Sequence, residues 1–78
     1  TNTIYDIFQD AAGFIWIGHD KGLSKYDGFR FKHYQNEEQR GRPLSNLLQD
    51  NKGRIWCQNF VGQFFYVDND TLKLSQQL

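Results

Sequence analysis

The stretch Gln9-Asp10-Ala11-Ala12-Gly13-Phe14-Ile15-Trp16 returns forty residues later as Gln49-Asp50-Asn51-Lys52-Gly53-Arg54-Ile55-Trp56. A chain written this way is two copies of one unit. Laid on one another without a gap, residues 4–26 and 44–66 are identical at Gln9/Gln49, Asp10/Asp50, Gly13/Gly53, Ile15/Ile55, Trp16/Trp56, Gly22/Gly62 and Tyr26/Tyr66. Ile4/Leu44, Ile7/Leu47 and Phe8/Leu48 keep their apolar character. A period of about 40 with strand-like content is the signature of a propeller blade, and one such unit cannot bury its hydrophobic faces alone.

Within the first copy, Ile4–Gln9 reads as a strand that ends at Asp10-Ala11-Ala12-Gly13. Asp at the first and Gly at the last position of four are favoured in a type I turn. Phe14-Ile15-Trp16-Ile17 is a continuous apolar run, as expected of a strand covered on both faces. Gly18–Gly22 is the next connection, Leu23–Tyr26 a third strand, and Asp27-Gly28 a hairpin turn. Phe29–Tyr34 alternates apolar with charged residues, which predicts an outer strand whose Arg30 and Lys32 discourage edge-to-edge pairing. The second copy repeats the order with strands at Leu47–Gln49, Arg54–Gln58, Gln63–Val67 and Leu72–Ser75. No helix signal is present. The expected fold is all-β: two four-stranded antiparallel propeller blades at residues 1–35 and 44–78, joined by an inter-blade loop at 36–43, as a fragment of a larger propeller.

Composition narrows what such a chain can do. A chain of 78 residues buries only about 60–65% of its unfolded surface. Its seven Phe, four Tyr and two Trp must therefore supply the core. Nine acidic residues cancel nine basic ones, so no long-range field favours nucleic acid or an anionic membrane. The single Cys57 excludes an internal disulfide and a cysteine zinc site, and it aligns with Ile17 as a small apolar filler. No apolar run approaches the ~20 residues of a membrane span, so direct membrane contact is not expected. There is no Met and the chain opens on Thr1, as expected of an excised piece.

The recurring Asp, Gly and Trp have structural work to do. The carboxylates of Asp10 and Asp50 are expected to accept hydrogen bonds from backbone N–H groups two and three residues on, while Gly13 and Gly53 cover a left-handed position. Trp16 and Trp56 are expected to fill the wedge between adjacent twisted sheets, where each indole N–H needs an acceptor. A glycosidase pair would require the two carboxylates to meet roughly 5–9.5 Å apart across a sugar, which equivalent turns on two blades do not achieve.

Asp-x-x-Gly-x-Ile-Trp-Ile-Gly, followed by Gly22-Leu23-Ser24-Lys25-Tyr26-Asp27-Gly28, resembles the two-component regulator propeller repeat. The second copy departs from it where Cys57-Gln58 replaces the Ile-Gly pair and Gln63-Phe64-Phe65 replaces Leu-Ser-Lys. The resemblance implies an extracytoplasmic, periplasmic sensor region of an inner-membrane hybrid histidine kinase, detecting glycan fragments to control polysaccharide-utilisation genes. It implies binding, not catalysis. WD repeats place their Trp-Asp pair at the end of the third strand, and Asp-box repeats carry a hydroxyl residue before Trp where Ile15 and Ile55 stand here.

Ligand chemistry is sought where the copies disagree. The connection between the second and third strands reads His19-Asp20-Lys21 in one copy and Asn59-Phe60-Val61 in the other. In propellers these turns share one end of the disc with the blade-to-blade loops. His19, Asp20, Lys21, Asn59 and Phe60 are therefore the candidate ligand residues, with an oligosaccharide as the ligand: hydroxyls take directional bonds while C–H faces stack on a ring. Ordinary solvent loops are the alternative. His19 beside Asp20 falls short of the three or four ligands of a zinc site, so neither metal nor cofactor is expected. His33, on the outer strand and far in sequence from any partner cluster, is expected at the surface. The aromatic and basic interleaving of Phe29–Tyr34 is unlike a nucleic-acid platform, because alternation puts rings and charges on opposite faces. Ser24, Ser45 and Ser75 sit in no nucleophile motif. A hydrolase or lyase on a propeller scaffold, or a scaffold for protein partners, are the rival readings. Two blades leave both outer faces uncovered, which predicts self-association by face-to-face stacking or strand exchange.

Overall fold

The computed structural model describes residues 3–76. Eight strands follow in order: β1 (Ile4–Gln9), β2 (Ile15–His19), β3 (Gly22–Tyr26), β4 (Phe31–Tyr34), β5 (Ser45–Gln49), β6 (Ile55–Gln58), β7 (Phe64–Asp68) and β8 (Thr71–Leu74). They form two antiparallel four-stranded meanders, β1-β2-β3-β4 and β5-β6-β7-β8, with no helix among the described residues. The two blades inferred from the repeat are thus two sheets. Several strand limits shift by one residue and three by two: β2 runs on to His19, which pairs with Gly22, so the expected Gly18–Gly22 connection shrinks to two residues. β4 starts at Phe31 because Gly28 and Phe29 are spent on the hairpin, closed by Asp27 N–H on the Arg30 carbonyl. β5 starts at Ser45 because the chain passes through a bulge at Asn46, whose φ is +56°.

The gapless alignment holds only as far as β6. Trp16 lies opposite Lys25, whereas Trp56 lies opposite Tyr66, so β7 and β8 run one residue later than the repeat spacing. The cause is one turn. His19 pairs with Gly22 across a two-residue connection, while Asn59 N–H meets the Gln63 carbonyl across three residues, the last being Gly62 at φ +92°. A left-handed Gly ending a three-residue hairpin is the usual way to insert one residue. Gly22 and Gly62, and Tyr26 and Tyr66, are therefore matched letters in unmatched places.

Period-two alternation gives each blade two faces. Blade 1 turns Phe8, Trp16, Gly18, Leu23 and Tyr34 toward blade 2. Blade 2 answers with Leu44, Leu47, Ile55, Cys57, Phe65, Val67 and Leu72, all buried, and these form one core with Trp16, Leu23 and Tyr34. Burying an aliphatic or Phe side chain of this kind contributes about 1.5–3 kcal/mol. The sheets approach closely at Gly18. A Cβ there would sit 2.4 Å from the Leu44 carbonyl oxygen, so no other residue fits.

Polar latches then fix the seam. Asp6 accepts from Leu47 N–H at 2.8 Å, Gln49 Oε1 from Ala11 N–H at 2.9 Å, and the His19 carbonyl from Leu44 N–H at 3.2 Å. Lys25 and Lys32 lie directly opposite on β3 and β4, a like-charge pairing that alone is unfavourable. Asp70, from the β7–β8 turn, resolves it by meeting both ammonium groups and the Tyr34 hydroxyl. These donors hold the Asp70 carboxyl down at about 2, the Lys32 bond first and the Tyr34 bond second. The outer faces stay open. Ile4, Ile7 and Phe31 on blade 1, and Leu48 and Phe64 on blade 2, are exposed.

Candidate functional site

Both copies of the repeated motif close on themselves. Asp10 Oδ1 accepts from Ala12 and Phe14 N–H, and Asp50 Oδ1 from Lys52 and Arg54 N–H, at 2.9–3.0 Å. The spacing is two and four residues on, not two and three: Gly13 N–H and Gly53 N–H bind the Asp carbonyls instead. Gly13 and Gly53, at φ +97° and +83°, make that geometry possible. The second oxygen of each carboxylate takes the indole N–H of its own repeat, Trp16 or Trp56, at 2.8 Å. The acceptor each Trp required is thus the Asp six residues before it. Asp50 also holds Arg54 at 2.8 Å, and these donors, the Trp56 indole foremost, keep its carboxyl well below the usual range. Asp50 thus accepts four hydrogen bonds and Asp10 three, so both carboxylates are engaged in holding their turns.

At the opposite end, His19, Asp20 and Lys21 gather with the inter-blade loop and the Asn59–Gln63 turn. The loop is pinned: Asn36 Nδ2 reaches the Leu72 carbonyl, and Gln63 bonds Arg40 N–H and the Glu38 carbonyl. Asn59 is buried, with Oδ1 accepting from Val61 and Gln63 N–H and Nδ2 donating to Gly41 and Gln63. It is occupied in holding the turn. Phe60 is 63% exposed and meets Tyr5 of blade 1 edge-on, with ring centroids 5.1 Å apart. Lys21 and Arg42 line a polar cleft of about 120 Å³ with Gln35, Asn36 and Gln39.

His33 lies at the surface, as expected, and the fold brings it to residues distant in sequence. Lys21 N–H donates to His19 Nδ1 at 3.1 Å, so the neutral ring carries its proton on Nε2 and donates it to Ser24 Oγ at 2.8 Å. Gln35 Nε2 donates to His33 Nε2 at 3.2 Å, so the neutral His33 ring carries its proton on Nδ1 and donates it to Ser24 Oγ at 3.2 Å, and the two imidazoles stack 5.4 Å apart. Alternation across β2, β3 and β4 brings the three residues to one face, a juxtaposition invisible without the register. Desolvation, then His33, lowers the His19 pKa. Asp20 stands 4.0 Å from His19 Nδ1, completing an outline of Ser, His and Asp. It is not a nucleophile relay, because the relay needs a lone pair on the nitrogen facing Ser. Here Lys21 has fixed the other tautomer.

Cys57 has its thiol pushed up to about 12 by burial, beyond the range of a thiolate nucleophile. Among the described residues, no group of three or more His, Cys, Asp or Glu side chains could hold a metal ion.

Residues 1–21 match the family model of the two component regulator propeller, so the chain carries a repeat of that type. Histidine kinase P4 of Formosa agariphila is 39% identical over 44 residues, which is 56% of this chain and 3% of that relative. The chain thus spans a small fraction of the length of the curated relative it matches. No solved structure matches it.

Proposed function

From the two component regulator propeller repeat that the chain carries, we propose that these blades belong to the ligand-sensing propeller of a sensor histidine kinase, positioned outside the cytoplasmic membrane. The ligand is an oligosaccharide, and the blades bind it without turning it over. The observation that carries this reading is the exposed Phe60 ring, braced by Tyr5, at the same end as the Lys21–Arg42 cleft. An exposed ring offers a stacking face for sugar C–H groups, and neighbouring cations and amides supply directional donors for hydroxyls or carboxylates. This end is also where the blades differ, while their shared motif is consumed in turn formation. The resemblance to a histidine kinase supports a signalling role for the parent protein.

Titration of the isotopically labelled chain with neutral and uronic-acid oligosaccharides tests the reading by NMR. Shifts are expected at Tyr5, Lys21, Arg42 and Phe60, and Phe60→Ala should weaken binding at least about tenfold. Shifts confined to the Asp10 and Asp50 turns, or sugar cleavage during the titration, would replace the binding reading with another.

A further inference from the structure

The fold treats two pairs of cations differently. Lys25 and Lys32, opposite one another on β3 and β4, are both met by the Asp70 carboxylate of the facing blade. Lys21 and Arg42 line one cleft with Gln35, Asn36 and Gln39, and no carboxylate stands on its walls. Asp20, Glu37 and Glu38, the acidic residues nearest to them in sequence, lie outside that lining. Among the described residues, neither Lys21 nor Arg42 has an ion-pair partner. Two like charges on one cleft repel, modestly at exposed positions, and an anion between them removes the repulsion. We infer that this cleft is an oxyanion subsite, in which Lys21 and Arg42 together take a carboxylate or sulfate group carried on an acidic oligosaccharide. The inference rests on the oligosaccharide reading above and narrows it to acidic chains.

The walls are set before a ligand arrives. Lys21 is the second residue of the two-residue β2–β3 connection, and its N–H is fastened to His19 Nδ1 at 3.1 Å. Gln39 holds the other wall: its Nε2 donates to the Gly41 and Arg42 carbonyls at 3.2 and 2.9 Å, and its Oε1 accepts from Asn36 N–H. Asn36 donates in turn to the Leu72 carbonyl of blade 2, and Gln35 to His33. The amides are thus largely spent on the fold, which leaves the ammonium and the guanidinium as the donors for a ligand. Charged donors favour a charged acceptor, and the guanidinium fork matches two oxygens of a carboxylate or sulfate. Size agrees with a single group. The cleft of about 120 Å³ has room for about four waters, well below the ~300 Å³ at which whole ligands are housed. Every lining residue lies between positions 21 and 42, so the cleft is complete without a further blade. By the repeat spacing Val61 stands in blade 2 where Lys21 stands in blade 1, so this cation is no part of the shared motif.

Calorimetric titration of the chain with matched pairs of sugars decides the matter. One pair is an oligogalacturonide and its methyl ester, the other a sulfated galactan oligosaccharide and its desulfated form. The acidic member of at least one pair should bind at least about tenfold tighter than its neutral twin. Preference within the first pair identifies a carboxylate as the group, preference within the second a sulfate, and either upholds the subsite. The double variant Lys21→Gln/Arg42→Gln should erase that preference and leave the neutral twin binding as before. Both side chains are exposed, so its thermal unfolding should match that of the unmodified chain. Phe60→Ala should weaken both members of a pair alike, which keeps the subsite apart from the ring. Equal affinity within both pairs, or an acidic preference that survives the double variant, overturns the subsite and leaves the oligosaccharide reading standing. Inorganic sulfate that shifts the Lys21 and Arg42 NMR signals, with no oligosaccharide binding, upholds the oxyanion cleft and overturns the oligosaccharide reading alone. Binding of neither overturns both.

Discussion

In blade 1 Trp16 lies under Lys25, whose ammonium also stands 4.9 Å over the Phe14 ring; in blade 2 Trp56 lies under Arg54, which also stands 5.4 Å over Tyr66. Phe14 and Arg54 hold one position, Lys25 and Tyr66 the other. Cation and ring have exchanged strands between the copies, and the indole keeps a cation above it and an aromatic neighbour either way. What the repeat preserves is an interaction around the Trp, not the residues that make it. A second contrast runs the other way. On the covered side, blade 2 presents Phe65 and Leu74 where blade 1 presents Ser24 and His33 to the open. Packing demand, not descent from one unit, separates these pairs.

The largest test of that contrast is truncation of the covered ring. Phe65→Ala should destabilise the chain by about 3–5 kcal/mol, as for a fully buried Phe. Ser24→Ala, at the matched position, should cost no more than about 1.5 kcal/mol in urea unfolding. Equal losses would break the distinction between the faces. Next in size is the close approach. Gly18→Ala forces a Cβ against the Leu44 carbonyl and should cost at least about 1–3 kcal/mol. Gln58→Ala, its counterpart on the open face, should stay within about 0.5 kcal/mol in the monomer.

The smallest effect is a pH dependence of blade 1 alone. The His19 pKa is lowered in the fold, chiefly by desolvation, so the unfolded chain binds that proton more readily. Stability is thus undiminished above the ordinary value near 6.5 and falls as pH drops through it toward the folded value. Replacing His19 by the residue of blade 2, His19→Asn, should flatten the melting temperature between about pH 7 and 5. An unchanged profile in that variant would assign the dependence to another group. The carboxylates enter lower, since Asp70 loses its stabilising contribution only as pH falls from the ordinary carboxylate range toward about 2.

The Asp-x-x-Gly-x-Ile-Trp repetition by itself determined the fold class, the blade count and the role of the turn, because those depend on local hydrogen bonding and strand periodicity that a sequence writes directly. Even the indole acceptor lay within the same motif, six residues upstream, legible once Asp and Trp are taken together. Tertiary structure decided the rest. A one-residue insertion at Gly62 moved two strands out of the apparent alignment, since turn geometry sets register and letters do not. The same register carried His33 across to Ser24 and His19, fourteen residues apart in sequence and stacked in space. Asn59 went inward and Phe60 outward on one turn, a sorting that depends on what the facing blade covers. Which faces are closed and which are open is a property of neighbours, and a single strand's pattern of apolar residues contains no neighbour.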